Sequence, residues 1–164
     1  MVIASVLLKD LRYKHILQKI RELELKTNME MSLHQKLLLA ETGTVEQSLG
    51  ILTNSQISIH VIRQIKTCKT IKRDVYILNR QTGKKLLEAS STIFVDCLPR
   101  MIIKSIERKN QGIGNIITTF QLETFRKIVK IGCNSRTGSI FRIYHIIYNK
   151  NIAFKIKEVF PNKL

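Results

Sequence analysis

The sequence predicts an α+β fold built on one antiparallel β-sheet, and three observations carry that prediction. Segments with period-two apolar alternation outnumber those with helical spacing. The connections between them are short, which favours antiparallel neighbours over parallel crossovers. No repeat, low-complexity run or Pro/Gly linker divides the 164 residues, so residues 1–164 read as one domain.

Residues 1–36 read as a leading helical or covering segment, and a polar, helix-compatible region runs from about Leu17 to Leu39. Thr44 to Leu49 reads as a short helix with Thr44 as its N-cap. Ser55 to Gln64 reads as a strand, with Ile57, Ile59, Val61 and Ile65 sharing one parity. Ile71–Leu78 and Leu87–Val95 make a hairpin across the Gly-containing turn Asn79–Lys84. Leu98 to Lys109 carries helical spacing, and Gly112-Ile113-Gly114 breaks the chain before a second short helix. Phe125–Ile131 returns to strand, and Ile140–Tyr148 with Ile152–Phe160 closes the chain as a hairpin.

Composition excludes several classes. A hydrophobic share of 44% excludes a disordered chain, and no run approaches the roughly 20 apolar residues that span a bilayer. Met1–Leu8 is apolar but is followed at once by Lys9 and Asp10, so no signal peptide is expected. Cys68, Cys97 and Cys133 form no C-x-x-C pair and fit a reducing compartment. His15, His34, His60 and His145 are scattered without metal-ligand spacing. The net charge of +16 would attract polyanions, yet the cations fall in every segment, alongside the Ile, Lys and Asn favoured by AT-rich codons. A nucleic-acid role would require those cations to gather on one face.

Two charges fall on apolar strand faces. Side chains alternate along a strand, so Glu158 shares its face with Ile152, Phe154, Ile156 and Phe160, while Lys155 and Lys157 mark the wet side. Arg73 likewise sits with Ile71, Val75 and Ile77. A buried charge is costly unless it is paired or hydrogen-bonded. A structural ion pair, an arginine reaching past its neighbours to water, and a ligand site all satisfy that demand.

The blocks around these residues resemble the chorismate pyruvate-lyase family. They are Leu37-Leu38-Leu39-Ala40-Glu41-Thr42-Gly43-Thr44; Lys72-Arg73-Asp74-Val75-Tyr76-Ile77-Leu78 with Leu87-Glu88-Ala89-Ser90-Ser91-Thr92; Gly112-Ile113-Gly114-Asn115-Ile116-Ile117 leading to Arg126; and Lys157-Glu158-Val159-Phe160-Pro161. Their order and spacing carry the likeness from about Leu37 onward, and the nearest resemblance is to plastid-encoded members. It implies helices and loops covering an internal ligand pocket, with no metal and no organic cofactor. Arg73 would bind the carboxylate of a ring acid, Glu158 its hydroxyl, and the amides of Gly43 and Ile113 would add donors. Ser90 would line the pocket where some members have glycine. Arg126 shares parity with Thr124 and Ile128 and is a further candidate lining residue.

The implied activity is elimination of pyruvate from chorismate to give 4-hydroxybenzoate, a quinone precursor. The implied setting is a monomer in the plastid stroma, or in the cytoplasm of a bacterium, with a small ring acid as partner and no obligatory nucleic acid. Two other readings stand beside it. One is a non-catalytic binder of small molecules on the same fold, and the other is a basic organellar RNA-associated protein.

Overall fold

The computed structural model describes residues 3–7 and 13–163. The element order is β1 (Ile3–Leu7), α1 (Tyr13–Thr27), α2 (Leu33–Ala40), α3 (Val45–Thr53), β2 (Ile57–Lys66), β3 (Thr70–Asn79), β4 (Lys85–Phe94), α4 (Arg100–Glu107), α5 (Ile113–Thr119), β5 (Phe125–Asn134), β6 (Ile140–Tyr148) and β7 (Asn151–Phe160). The seven strands form one sheet in the order β1-β5-β6-β7-β4-β3-β2, and every neighbouring pair is antiparallel. The predicted α+β class is therefore the observed one. Two three-stranded meanders, β2-β3-β4 and β5-β6-β7, meet along the β4–β7 seam.

The helices gather on one face of this sheet, and named contacts tie them to it. Arg142 of β6 donates to the Leu38 carbonyl of α2. Gln64 of β2 donates to the Ile106 carbonyl of α4. Side chains of α3 and the start of α5 meet those of β3, β4 and β7 around one cavity. The core between the layers is aliphatic, with Leu23, Leu39, Leu49, Ile71, Ile93, Ile102, Ile131 and Phe154 fully buried. No described helix is long and apolar enough to cross a membrane.

Several boundaries differ from the sequence expectation for identifiable reasons. The region from Leu17 to Leu39 is two helices, broken where Asn28 takes a left-handed backbone (φ 48°) and Ser32 starts α2 afresh. The Ser32 hydroxyl accepts from the Gln35 amide at 3.3 Å, and Gln35 Oε1 accepts from the Ser32 amide at 2.9 Å, a complete capping box. Thr44 occupies the N-cap position of α3 without a side-chain capping bond. In β2 a bulge between Val61 and Arg63 shifts the register. Ile65 is thereby turned off the face of Ile59 and is 49% exposed, while Gln64 takes the inner side. Strand β1 comes from the N-terminal segment, where the sequence indicated no strand. Residues 8–10, on which the signal-peptide expectation rests, lie outside the described residues.

Ser32→Ala removes one half of the capping box and should cost about 1 kcal/mol, read as a lower urea midpoint with an unchanged m-value.

Candidate active site

The register of β3, β4, β7 and β6 brings the two inward charges into one neighbourhood. Across the inner face, Arg73 lies opposite Ser91, Ser91 opposite Ile156, and Ile156 opposite Tyr144. One row along, Val75 lies opposite Ala89, Ala89 opposite Glu158, and Glu158 opposite Arg142. Arg73 and Glu158 are thus separated by β4, a span of roughly 10 Å at two strand spacings. β4 puts only Ala89 and Ser91 between them, and these small side chains leave the sheet hollow there. Val45 and Glu46 of α3, Ile59 of β2 and the Gly112-Ile113-Gly114 segment stand around the hollow, with Arg126 contributing from β5. The cavity has a volume of about 50 Å³ and continues into an opening toward solvent.

Glu158 and Arg73 share this cavity but do not pair with each other. Glu158 is held by Arg142, whose Nε donates to Oε2 at 2.6 Å with both side chains almost fully buried. The Tyr144 hydroxyl donates to Oε1 at 2.8 Å. Burial first, and then the Glu158 charge, push the Tyr144 phenol well above its ordinary range, so it remains a neutral donor. Arg142 Nη1 also donates to the carbonyls of Leu38, at 2.8 Å, and of Glu41. The carboxylate is therefore fixed in position by its neighbours.

Arg73 is in the opposite condition. It is 1% exposed, and its Nη2 donates to the Gln111 carbonyl. Nε and Nη1 are buried with no hydrogen-bond partner. Burial lowers its pKa, opposed by the charge of Glu46. Leaving two guanidinium donors unmet is costly, and a planar carboxylate is the group that satisfies such a fork.

Glu46 is a further ionisable side chain lining the cavity. Glu46 has its pKa raised, chiefly by burial, with the Glu158 charge adding to the effect and its own backbone N–H opposing. A Cβ on Gly112 would stand 2.4 Å from Glu46 Oε1, and one on Gly114 would stand 3.0 Å from Oε2. Glycines at those two positions are what admit the carboxyl group beneath the first turn of α5.

The remaining sequence candidates divide. Ile113 lines the cavity. Arg126 lines it too, and also borders a neighbouring surface depression, placing its guanidinium at the mouth. Gly43 lies in that outer depression instead, and its amide donates to Glu41 Oε1. Burial works against the Glu41 carboxylate, but hydrogen bonds from Ser48 and the Gly43 amide outweigh it and lower its pKa. Ser90 does not line the cavity: opposite Asp74 and Lys157, it is exposed on the other side of the sheet, and Ser91 takes the lining role. The period of two excludes Ser90, since Ala89 and Ser91 both point inward. Cys133 is a buried core thiol whose pKa is raised by that burial.

Sequence reasoning missed Arg142, Tyr144 and Glu46. In β6 both parities are apolar, Ile140 and Ile146 on one side and Phe141, Ile143 and Ile147 on the other, so Arg142 had no wet face to contrast with. Glu46 reads as an ordinary acidic residue in a first helical turn, favoured there by the helix dipole.

With that geometry in place, the relatives become informative. No family model matches the chain. The chain is 23% identical over 110 residues to the chorismate pyruvate-lyase of Mycobacterium leprae (strain TN), covering 58% of this chain and 52% of that protein. It is 20% identical over 155 residues to the chorismate pyruvate-lyases of Mycobacterium tuberculosis (strain ATCC 25618 / H37Rv) and Mycobacterium bovis (strain ATCC BAA-935 / AF2122/97), covering 76% of this chain and 78% of each. This chain is similar to chorismate pyruvate-lyases. The likeness is distant, and the match spans about half the length of the M. leprae protein.

Two outcomes test the electrostatics. Arg142→Met leaves Glu158 buried without its cation and should cost about 3–5 kcal/mol in urea denaturation. Glu46→Gln removes a carboxyl whose folded pKa is raised; the stability that group contributes is present at low pH and lost as pH rises through its folded pKa. The variant should therefore melt higher than the parent at about pH 8 and match it near pH 4.

Proposed function

We propose that this chain is a chorismate lyase-like enzyme that binds a small ring acid in the cavity and eliminates pyruvate from chorismate to leave 4-hydroxybenzoate. The observation that carries the reading is Arg73: a buried guanidinium with Nε and Nη1 unmet, on the wall of an enclosed cavity that also contains a fixed carboxylate. An anion with a planar carboxylate is the guest that such a cavity stabilises. The similarity to chorismate pyruvate-lyases supports the choice of chorismate among ring acids.

In this reading Arg73 grips the ring carboxylate, and Glu158, held as an acceptor by Arg142 and Tyr144, takes the ring hydroxyl. Arg126 at the mouth faces the enolpyruvyl carboxylate. The ether C–O bond breaks, the ring gives up a proton and becomes aromatic, and the departing enolpyruvate takes a proton to become pyruvate. Such a reaction needs orientation and placed charge more than a strong nucleophile. Glu46 is the side chain suited to pass that proton, since burial raises its pKa above the ordinary carboxyl range. In this reading the 4-hydroxybenzoate released serves quinone synthesis, and the protein works in the plastid stroma or, in a bacterium, the cytoplasm.

The test adds chorismate to the purified protein and follows pyruvate and 4-hydroxybenzoate together. Equal release of both is expected, with Arg73→Met slowed at least about 100-fold. Because the substitution also removes an unmet buried charge, the variant should melt no lower than the parent. Binding of 4-hydroxybenzoate without pyruvate release would make the protein a small-molecule binder and end the lyase reading.

A further inference from the structure

The second face of the sheet, away from the helices, has its own ordered chemistry. Following the register across five strands, one transverse row reads Lys127, His145, Lys155, Thr92 and Lys72. The adjacent row reads Lys130, Ile143, Lys157, Ser90 and Asp74. Lys72, Lys155, Lys157 and Ser90 are exposed, and the others are half-buried. The first row contains no carboxylate. In the second, Asp74 is neutralised by Arg63 at 3.3 Å. Glu88, in the row beyond, is neutralised by Lys85 at 3.1 Å. Scattered along the sequence, these cations are gathered by the pleat into one field. His145 registers that field, because burial and then the charges of Lys155 and Lys127 lower its pKa.

Aromatic rings are interleaved with the ammonium groups. Lys157 Nζ lies 5.4 Å from the Phe141 ring centre, Lys155 Nζ 5.3 Å from Phe94, and Lys85 Nζ 4.5 Å from Tyr76. In each pair the ammonium lies over the ring, and its move onto a phosphate would uncover a π-face for a base. Among the described residues no helix or ribbon rises from this sheet face to enter a duplex groove. The hydroxyls of Ser90 and Thr92, at the centre of the rows, are groups that a ribose 2′-hydroxyl can pair with.

We propose that this outer sheet face is a binding surface for single-stranded RNA, with Lys72, Lys155 and Lys157 on the phosphates and Phe141 and Tyr76 under the bases. The site lies across the sheet from the cavity, so the two can be occupied independently, and this inference does not rest on the lyase reading.

The test measures fluorescence anisotropy of a labelled single-stranded RNA of about 12 mixed nucleotides against the full chain over a salt series. The parent should bind saturably. Lys72→Gln/Lys155→Gln/Lys157→Gln should weaken binding more than tenfold and reduce the log–log salt slope by about 2. A control, Lys104→Gln/Arg108→Gln/Lys109→Gln at α4, should change affinity less than threefold, and circular dichroism should show both variants folded. Absence of saturable binding by the parent overturns the proposal. Equal losses in the two triple variants overturn it as well, since binding would then follow net charge alone. Equal affinity for the same sequence as DNA rejects the ribose contacts and the choice of RNA. Binding to phosphatidylserine-rich vesicles with no RNA shift would give the face to a membrane surface instead.

Discussion

The buried ion pair between Arg142 and Glu158 is the constraint from which the architecture of the site follows. One guanidinium neutralises the carboxylate and also meets the carbonyls of Leu38 and Glu41, where α2 runs out of its own amide donors. A helix end, an inner strand pair and the cavity floor are thereby joined at a single side chain. Remove the cation and three unrelated groups lose their partner together. With Glu158 satisfied from within the fold, Arg73 is left on the cavity wall with two guanidinium nitrogens unmet.

Two features of β4 complete that arrangement. The strand is central to the sheet, flanked by β3 and β7, and elsewhere its inward residues are large. Leu87 and Ile93 fill their positions, whereas Ala89 and Ser91 do not. Space therefore opens where the two meanders meet, and the charged side chains that use it come from opposite halves of the chain. The hydroxyl of Ser91 is turned to the Arg73 carbonyl at 3.1 Å, so the floor of the hollow is not left with an unmet polar group.

Much of this was legible in the sequence because strand parity is a strong signal where one side is wet. Lys155 and Lys157 betrayed the inward Glu158, and Lys72 and Asp74 betrayed Arg73. The signal failed in β6, where both sides are apolar and Arg142 went unnoticed. It failed again in β2, where one inserted residue exchanged the faces of Gln64 and Ile65. Ser90 was assigned by likeness of blocks against the alternation of its own strand, and the alternation was right. Glu46 was invisible for a different reason. Its significance comes from Gly112 and Gly114, more than sixty positions away, whose lack of a side chain gives its carboxyl group a place to stand.

The irregularity in β2 has a bearing on how copies of this chain meet one another. β2 is an outermost strand of the sheet, and an outermost strand offers unpaired amides and carbonyls to any passing extended segment. Ile62 and Ile65 are exposed on it, at 55% and 49%, which would make such a meeting adhesive. The displaced residue spoils the even spacing that a flush new strand would need, and Arg63 and Lys66, paired with Asp74 and Glu107, keep the same margin polar. Lengthening of the sheet by strand addition is thus discouraged at this edge, by the same kink that turned Ile65 toward water.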